Sequence, residues 1–234
     1  MLRVWHRDTA RGAEARDREG HDLPLITAVI ASPKRLGRFD VLVDGEPVAT
    51  LSLDAIERLA LHVGAPFGER LSTAVSDEAR RLRTFDRALA LLAFRARATR
   101  EMRQALLRKG EAEADVDSAI EKLLAMGLLD DAAYARQYAL AKITGPGFSR
   151  RRLQAELARR GVARDVADAA IAGVLADDQV DAVAVLERVA AKKLRTLDGL
   201  ELRTRRRRLY EFLARRGYDA DEIRVVMERL LPAS

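Results

Sequence analysis

The chain has 234 residues, 48% of them hydrophobic and 5% aromatic, with a formal charge of +6 and no cysteine, and its pI is near 9.9. That composition favours helix, and it excludes disulfides, thiolate metal sites and cysteine nucleophiles together. The positive balance points to an acidic partner, and no apolar run approaches the roughly 18 residues a membrane helix needs.

Residues 1–22 alternate arginines with acidic residues, show no periodicity and contain no apolar signal core, so the sequence predicts a mobile arm carrying Trp5 and His6, and a cytoplasmic protein. Three β-prone runs follow, at 25–31, 38–44 and 46–53. Asp44-Gly45 between the second and third is a hairpin signal, because a type I′ turn needs positive φ at both central residues. The prediction is a small antiparallel meander with a basic loop at Lys34, Arg35 and Arg38. Helices are then expected over 54–62, stopped by Gly64, and over 69–80.

From residue 84 onward the pattern is helical throughout. A helix over 84–97 is supported by Phe85, Leu89, Leu92 and Phe94, and further helices are expected over 99–109 and 112–125, the last ending at Gly127. Asp130 is placed to cap the next helix, with Asp131 in its first turn. On it Tyr134 and Tyr138, four apart, share a face and are expected to pack between repeats. Thr144-Gly145-Pro146-Gly147 ends it. A basic helix then runs from Arg150, another covers 164–176, and Asp177-Asp178 opens one that extends to about Lys193. The second basic helix carries Arg203, Arg205, Arg206, Arg207 and Arg208. Leu202, Leu209, Phe212 and Leu213 form its expected buried stripe, which leaves Arg205, Arg208 and Arg215 outside. Residues 219–231 close the chain as an amphipathic helix.

These helices repeat. With Gly110, Gly161 and Gly217 in register, Met102, Leu153 and Leu209 lie eight residues upstream and Leu106, Leu157 and Leu213 four upstream. Ile120, Ile171 and Met227 lie ten downstream, and Leu124, Leu175 and Leu231 fourteen downstream. Each glycine follows a basic pair: Arg108-Lys109, Arg159-Arg160 or Arg215-Arg216. Three copies of a helix, a C-terminal glycine cap and a second helix are therefore expected, giving a mainly α, elongated row of tandem three-helix units behind a small antiparallel β module. The expected boundaries are 23–82 for the β module with its short helices, then 83–129, 130–177 and 178–234 for the repeats.

Basic residues in a last turn complement the helix dipole, which accounts for part of the Arg-Arg-Gly pattern. Arg150, Arg151 and Arg152 stand in a first turn, where positive charge opposes the dipole, and the Arg203–Arg208 cluster repels itself unless neutralised. Both features point to an external anion, nucleic acid or acidic protein. Catalysis has no such support: no HExxH, G-x-S-x-G or Walker-type loop occurs, and His6, His21 and His62 all precede the repeats, so no enzyme activity, metal or cofactor is expected.

The run Gly127-Leu128-Leu129-Asp130-Asp131, with Tyr134-Ala135, Gly145-Pro146, Arg150, Leu153, Glu156-Leu157 and Arg160-Gly161-Val162, closely resembles the motif of the RecX family, regulators of the RecA recombinase. Arg208-Leu209-Tyr210, Leu213, Arg215-Arg216-Gly217-Tyr218 and Ile223 are similar to its C-terminal repeat, and the strand module resembles an N-terminal extension of some members. The first repeat departs from the pattern, with Met102 where leucine is commoner and Glu111 and Glu113 after the glycine. The resemblance implies a crescent of helix-turn-helix-like repeats lying in the groove of the RecA–DNA filament. It also implies inhibition of recombination, strand exchange and the RecA ATPase, a capacity to bind single- and double-stranded DNA, and no cofactor. On that basis the expected RecA- and DNA-binding residues are Arg150, Arg151, Arg152, Arg159, Arg160, Arg203, Arg205, Arg206, Arg207, Arg208, Arg215 and Arg216 of a monomeric regulator. The competing expectation is a protein that binds DNA without sequence preference and acts by occupying it.

Overall fold

The computed structural model describes residues 23–33, 35–176 and 181–231. The arm expected over 1–22, with Trp5, His6 and His21, lies outside the described residues, as do Lys34, Asp177 and Asp178. The chain divides into two compact units, one ending at Arg87 and the other beginning at Ala88.

The first unit opens with three antiparallel strands in the order β1 (Ile26–Ala31), β2 (Arg38–Val43) and β3 (Glu46–Ser52). Asp44 and Gly45 both adopt positive φ, 49° and 86°, as the type I′ hairpin requires. Ile26, Val41, Val43 and Leu51 point to one face of the sheet and form the unit's core with Ile56, Leu61 and Val75. Ser52 caps α1 (Leu53–Arg58) by accepting from the Ala55 amide. The helix expected over 54–62 stops early. Ala60 turns the chain at φ 51°, and residues 64–65 bond to β1 instead: the Gly64 amide donates to the Ile26 carbonyl at 2.8 Å and the Ile26 amide to the Ala65 carbonyl at 3.0 Å. Burying Leu61 and satisfying the β1 backbone outweigh about one further helical turn.

The helices expected over 69–80 and 84–97 are one, α2 (Glu69–Phe94). Nothing in Arg81-Leu82-Arg83 breaks a helix, and the Thr84 hydroxyl donates back to the Arg80 carbonyl at 3.2 Å, so the residue read as a start sits inside. The break expected at 82–83 therefore falls within a continuous helix. Phe94, expected on its apolar face, is exposed.

The second unit holds the three-helix repeats. After α2 come α3 (Thr99–Arg108) and α4 (Glu113–Ala125); then α5 (Asp131–Thr144), α6 (Arg150–Arg159) and α7 (Arg164–Leu175); then α8 (Ala182–Arg195), α9 (Leu202–Arg215) and α10 (Ala220–Leu230). The aligned positions coincide in space: Met102, Leu153 and Leu209 are all 0% exposed, as are Leu106, Leu157 and Leu213. Gly110, Gly161 and Gly217 take φ of 82°, 86° and 86° and end their helices. The alignment slips at its far end, because Leu124 is exposed while Leu123 is fully buried. Asp130 caps α5 through the Ala132 and Ala133 amides, both at 2.9 Å. The next helix, α8, is capped by Asp181, whose side chain accepts from the Ala184 amide. Leu202, expected in the buried stripe of α9, is exposed in its first turn and does not join the core that Leu209 and Leu213 enter. Among the described residues no helix is long and apolar enough to cross a membrane.

Candidate protein and nucleic-acid interface

The glycines do more than cap. At Gly161 an added Cβ would lie 2.4 Å from Arg100 Cβ, and at Gly217 one would lie 2.6 Å from Ser149 Oγ. Arg100 and Ser149 stand at the starts of the second helices of the preceding repeats. Each seam thus presses the glycine turn of one repeat onto the N-terminus of the basic helix before it. Gly110 meets nothing within 4 Å.

Two further contacts close the first seam. Asp131 Oδ1 accepts from the Thr99 amide at 2.7 Å, so a residue at the start of α5 caps α3 of the preceding repeat. Tyr134 and Tyr138 stack with centroids 6.1 Å apart, and the Arg160 guanidinium lies 4.7 Å from the Tyr138 centroid and donates to its hydroxyl at 3.3 Å. Both tyrosines pack against the core of the second repeat and line a cleft with Arg95 and Arg160, at the seam where they were expected. Burial opposes charge on Arg160, but the Tyr138 bond and the neighbouring Tyr134 and Glu101 outweigh it and raise its pKa; burial likewise raises Tyr134.

The second seam is a row of carbonyls clasped by side chains of the third repeat. Tyr218 Oη donates to the Gly147 carbonyl at 3.0 Å, Arg216 to Pro146 and Arg188 to Thr144. The Thr144–Gly147 linker that ends α5 is thereby held, and it delivers Ser149 to cap α6 by accepting from the Arg152 amide at 3.2 Å.

The seams sort the arginines singled out from the sequence. Arg150, Arg151, Arg203 and Arg208 are exposed and have no ion pair or hydrogen-bond partner among the described residues. Arg159 is exposed and pairs with Glu156 at 2.7 Å, while Arg207 and Arg215 flank Glu211 at 4.0 Å each. Such exposed pairs contribute about 0–1 kcal/mol and leave the cation available to a stronger anion. The rest are half-buried and internally engaged. Arg152 lies 3.9 Å from the Phe148 centroid, Arg160 rests on Tyr138, Arg205 reaches Asp198 at 3.3 Å, Arg206 donates to the Leu231 carbonyl at 2.7 Å, and Arg216 sits 4.6 Å from the Phe212 centroid. Arg205, expected to face outward, is therefore turned inward along α9. Arg152 and Arg216 are close enough to repel, and burial together with Arg152 lowers the Arg216 pKa.

One basic group was passed over in the sequence. Arg188, Lys192 and Lys193 on α8 line a cleft with Arg216 at the second seam. Placing α8 in register with α5 by their buried positions, Ala139 with Ala190 and Ile143 with Leu194, would have revealed it, since Arg188 and Lys192 replace Gln137 and Ala141. Among the described residues no cluster of histidine and carboxylate side chains could hold a metal ion.

Comparison with known proteins matches this architecture. Models of the first, second and third three-helix domains of RecX match residues 85–123, 130–171 and 179–227. Regulatory protein RecX of Amycolatopsis mediterranei (strain U-32) is 40% identical over 128 residues, 55% of this chain and 71% of that protein. Regulatory protein RecX of Pelodictyon phaeoclathratiforme (strain DSM 5477 / BU-1) is 33% identical over 144 residues, 62% of this chain and 86% of that protein. A crystal structure of regulatory protein RecX superposes with a TM-score of 0.70 at 21% identity, covering 88% of this chain and all of that one. RecX from Lactobacillus salivarius gives 0.56 at 20% identity over 64% of this chain and 96% of that one, and both likenesses concern the fold alone. On the domain matches and the identity to these relatives, the chain belongs to the RecX family of regulatory proteins.

Proposed function

We propose that this chain is a negative regulator of RecA that binds the RecA–DNA filament as a monomer and inhibits its recombinase, strand-exchange and ATPase activities. The observation that carries the reading is the placement of Arg150 and Arg151. Both are exposed in the first turn of α6, without a partner among the described residues, where their charge opposes the helix dipole. A cation in that place lowers the helix's own stability, and an acidic partner offsets the cost. Arg203 repeats the arrangement in the first turn of α9, and Arg208 is exposed one turn further along, so two basic helices fixed by one seam present exposed cations to a polyanionic assembly such as a nucleoprotein filament. The half-buried Arg152, Arg160, Arg205, Arg206 and Arg216 act in this reading chiefly by holding those helices in place.

The test is charge reversal, Arg150→Glu with Arg151→Glu. Glutamate in a first turn suits the dipole, so helical content and thermal stability should hold or rise slightly. Inhibition of RecA-dependent ATP hydrolysis should fall by an order of magnitude or more. Full inhibition by the folded variant would remove these arginines from the interface. Loss of inhibition only in parallel with loss of DNA binding would favour a protein that acts by occupying DNA.

A further inference from the structure

We propose that the cleft at the second seam, floored by Phe212 and rimmed by Arg188, Lys192, Lys193 and Arg216, is a phosphate subsite for a single DNA strand, separate from the exposed arginines of α6 and α9. The proposal deepens the reading above and rests on it only for the filament context.

The cleft is about 440 Å³ and its lining includes no carboxylate. Its counterpart at the first seam is lined by Arg95, Arg160 and two tyrosines, and there Glu101 pairs with Arg95 and, at 3.3 Å, with Arg97. The one carboxylate Glu101 thus partly offsets the cations of the first cleft, whereas among the described residues no ion pair engages those of the second. Lys192 and Lys193 lie in the last turn of α8, where a cation offsets the helix's partial negative end. That offset amounts to about half an elementary charge and leaves most of four cations unbalanced.

The cations are also held in place. Arg188 and Arg216 each donate to a linker carbonyl, Thr144 and Pro146, which fixes their forks while leaving other N–H groups to donate. Lys193 Nζ and the Arg216 guanidinium lie 5.4 Å and 4.6 Å from the centroid of the same Phe212 ring. With both cations on that ring, the cleft suits an anion better than a stacked base. Apolar walls of Val189 and Phe212 lower the local dielectric and strengthen attraction for the anion. The charge does not end at the rim, because Arg152, beside Gly217 at the start of α6, raises the potential at Arg216. A row of positive charge running from the cleft toward Arg150 and Arg151 fits a ligand whose negative charges repeat along a chain.

The experiment measures anisotropy of a labelled oligothymidylate of about 20 nucleotides across a salt series, with labelled polyglutamate as a second probe. It compares wild type with Lys192→Gln/Lys193→Gln, with Lys192→Arg, and with Arg70→Gln/Arg108→Gln as a charge-matched control at exposed sites. The double lysine variant should lose about tenfold in oligonucleotide affinity, and its log–log salt slope should flatten by roughly 1.4, the counterions of two single-strand phosphates. Lys192→Arg and the control should keep the wild-type slope. An unchanged slope, an equal loss in the control, or no binding by wild type would overturn the proposal. Selective loss of polyglutamate would also overturn it and assign the cleft to acidic protein. Inhibition of RecA is read on the same samples. Lost DNA affinity with inhibition retained upholds the cleft, whereas failure of wild type to inhibit contradicts the regulatory reading and leaves the oligonucleotide result standing.

Discussion

Tyr218, the residue after the glycine turn of the third repeat, donates its hydroxyl to the carbonyl of Gly147 at 3.0 Å, joining residues 71 apart in the chain across the second seam. The bond is buried, and Gly147 could not be another residue, because at φ 64° its Cβ would lie 2.4 Å from Val189. Removing only the hydroxyl, Tyr218→Phe, leaves that carbonyl unsatisfied and should lower stability by about 1–2 kcal/mol in urea unfolding. An unchanged midpoint would mean the clasp contributes nothing.

The same hydroxyl makes stability depend on alkaline pH. Burial, with Glu222 adding to it, pushes the Tyr218 pKa up to about 12 from a usual 10. The folded state therefore holds this proton more tightly than the unfolded chain does. Its contribution is complete below pH 10 and is lost as pH rises from 10 through about 12. Stability of Tyr218→Phe should fall less steeply than that of wild type across that window, while lysines and arginines affect both alike.

Glycine replacements separate capping from packing. Gly110→Ala meets only the left-handed conformation and should cost about 1 kcal/mol. Gly161→Ala and Gly217→Ala have the same φ of 86° and also drive a methyl into Arg100 or Ser149, so they should cost on the order of 2–4 kcal/mol. Equal losses at all three positions, measured by thermal or urea unfolding, would show that the seams yield.

Asp131→Ala should cost about 1 kcal/mol by uncapping the Thr99 amide, 32 residues away, and hydrogen exchange should report the loss at the start of α3 rather than in α5. Protection lost only within α5 would place the effect in its own helix.

These contrasts mark what could be read from the sequence. The repeat register was legible because Leu153, Leu157, Leu209 and Leu213 must face a core wherever the repeats lie, and a glycine after a basic pair announces a helix end. The second role of Gly161 and Gly217 was not legible, since it depends on which turn abuts which helix. The stacking of Arg152 on Phe148 and of Arg216 on Phe212 follows a four-residue spacing that was open to inspection, whereas Arg160 on Tyr138 spans two helices and was not. The α2 helix was read as two, the second starting near Thr84, and only the bond of Thr84 to Arg80 inside the helix shows otherwise. Among the candidate site residues, charge was visible but orientation was not: Arg205 and Arg206 read like Arg203 and Arg208 until Asp198 and the Leu231 carbonyl are seen to engage them.

The most direct test of the regulatory reading titrates this protein into RecA hydrolysing ATP on single-stranded DNA, with its own binding to the same DNA followed by anisotropy in the same buffer. Hydrolysis should fall at protein concentrations well below those that occupy bare DNA, because the target is the filament. Hydrolysis that persists until the DNA is saturated, or throughout the titration, would contradict it.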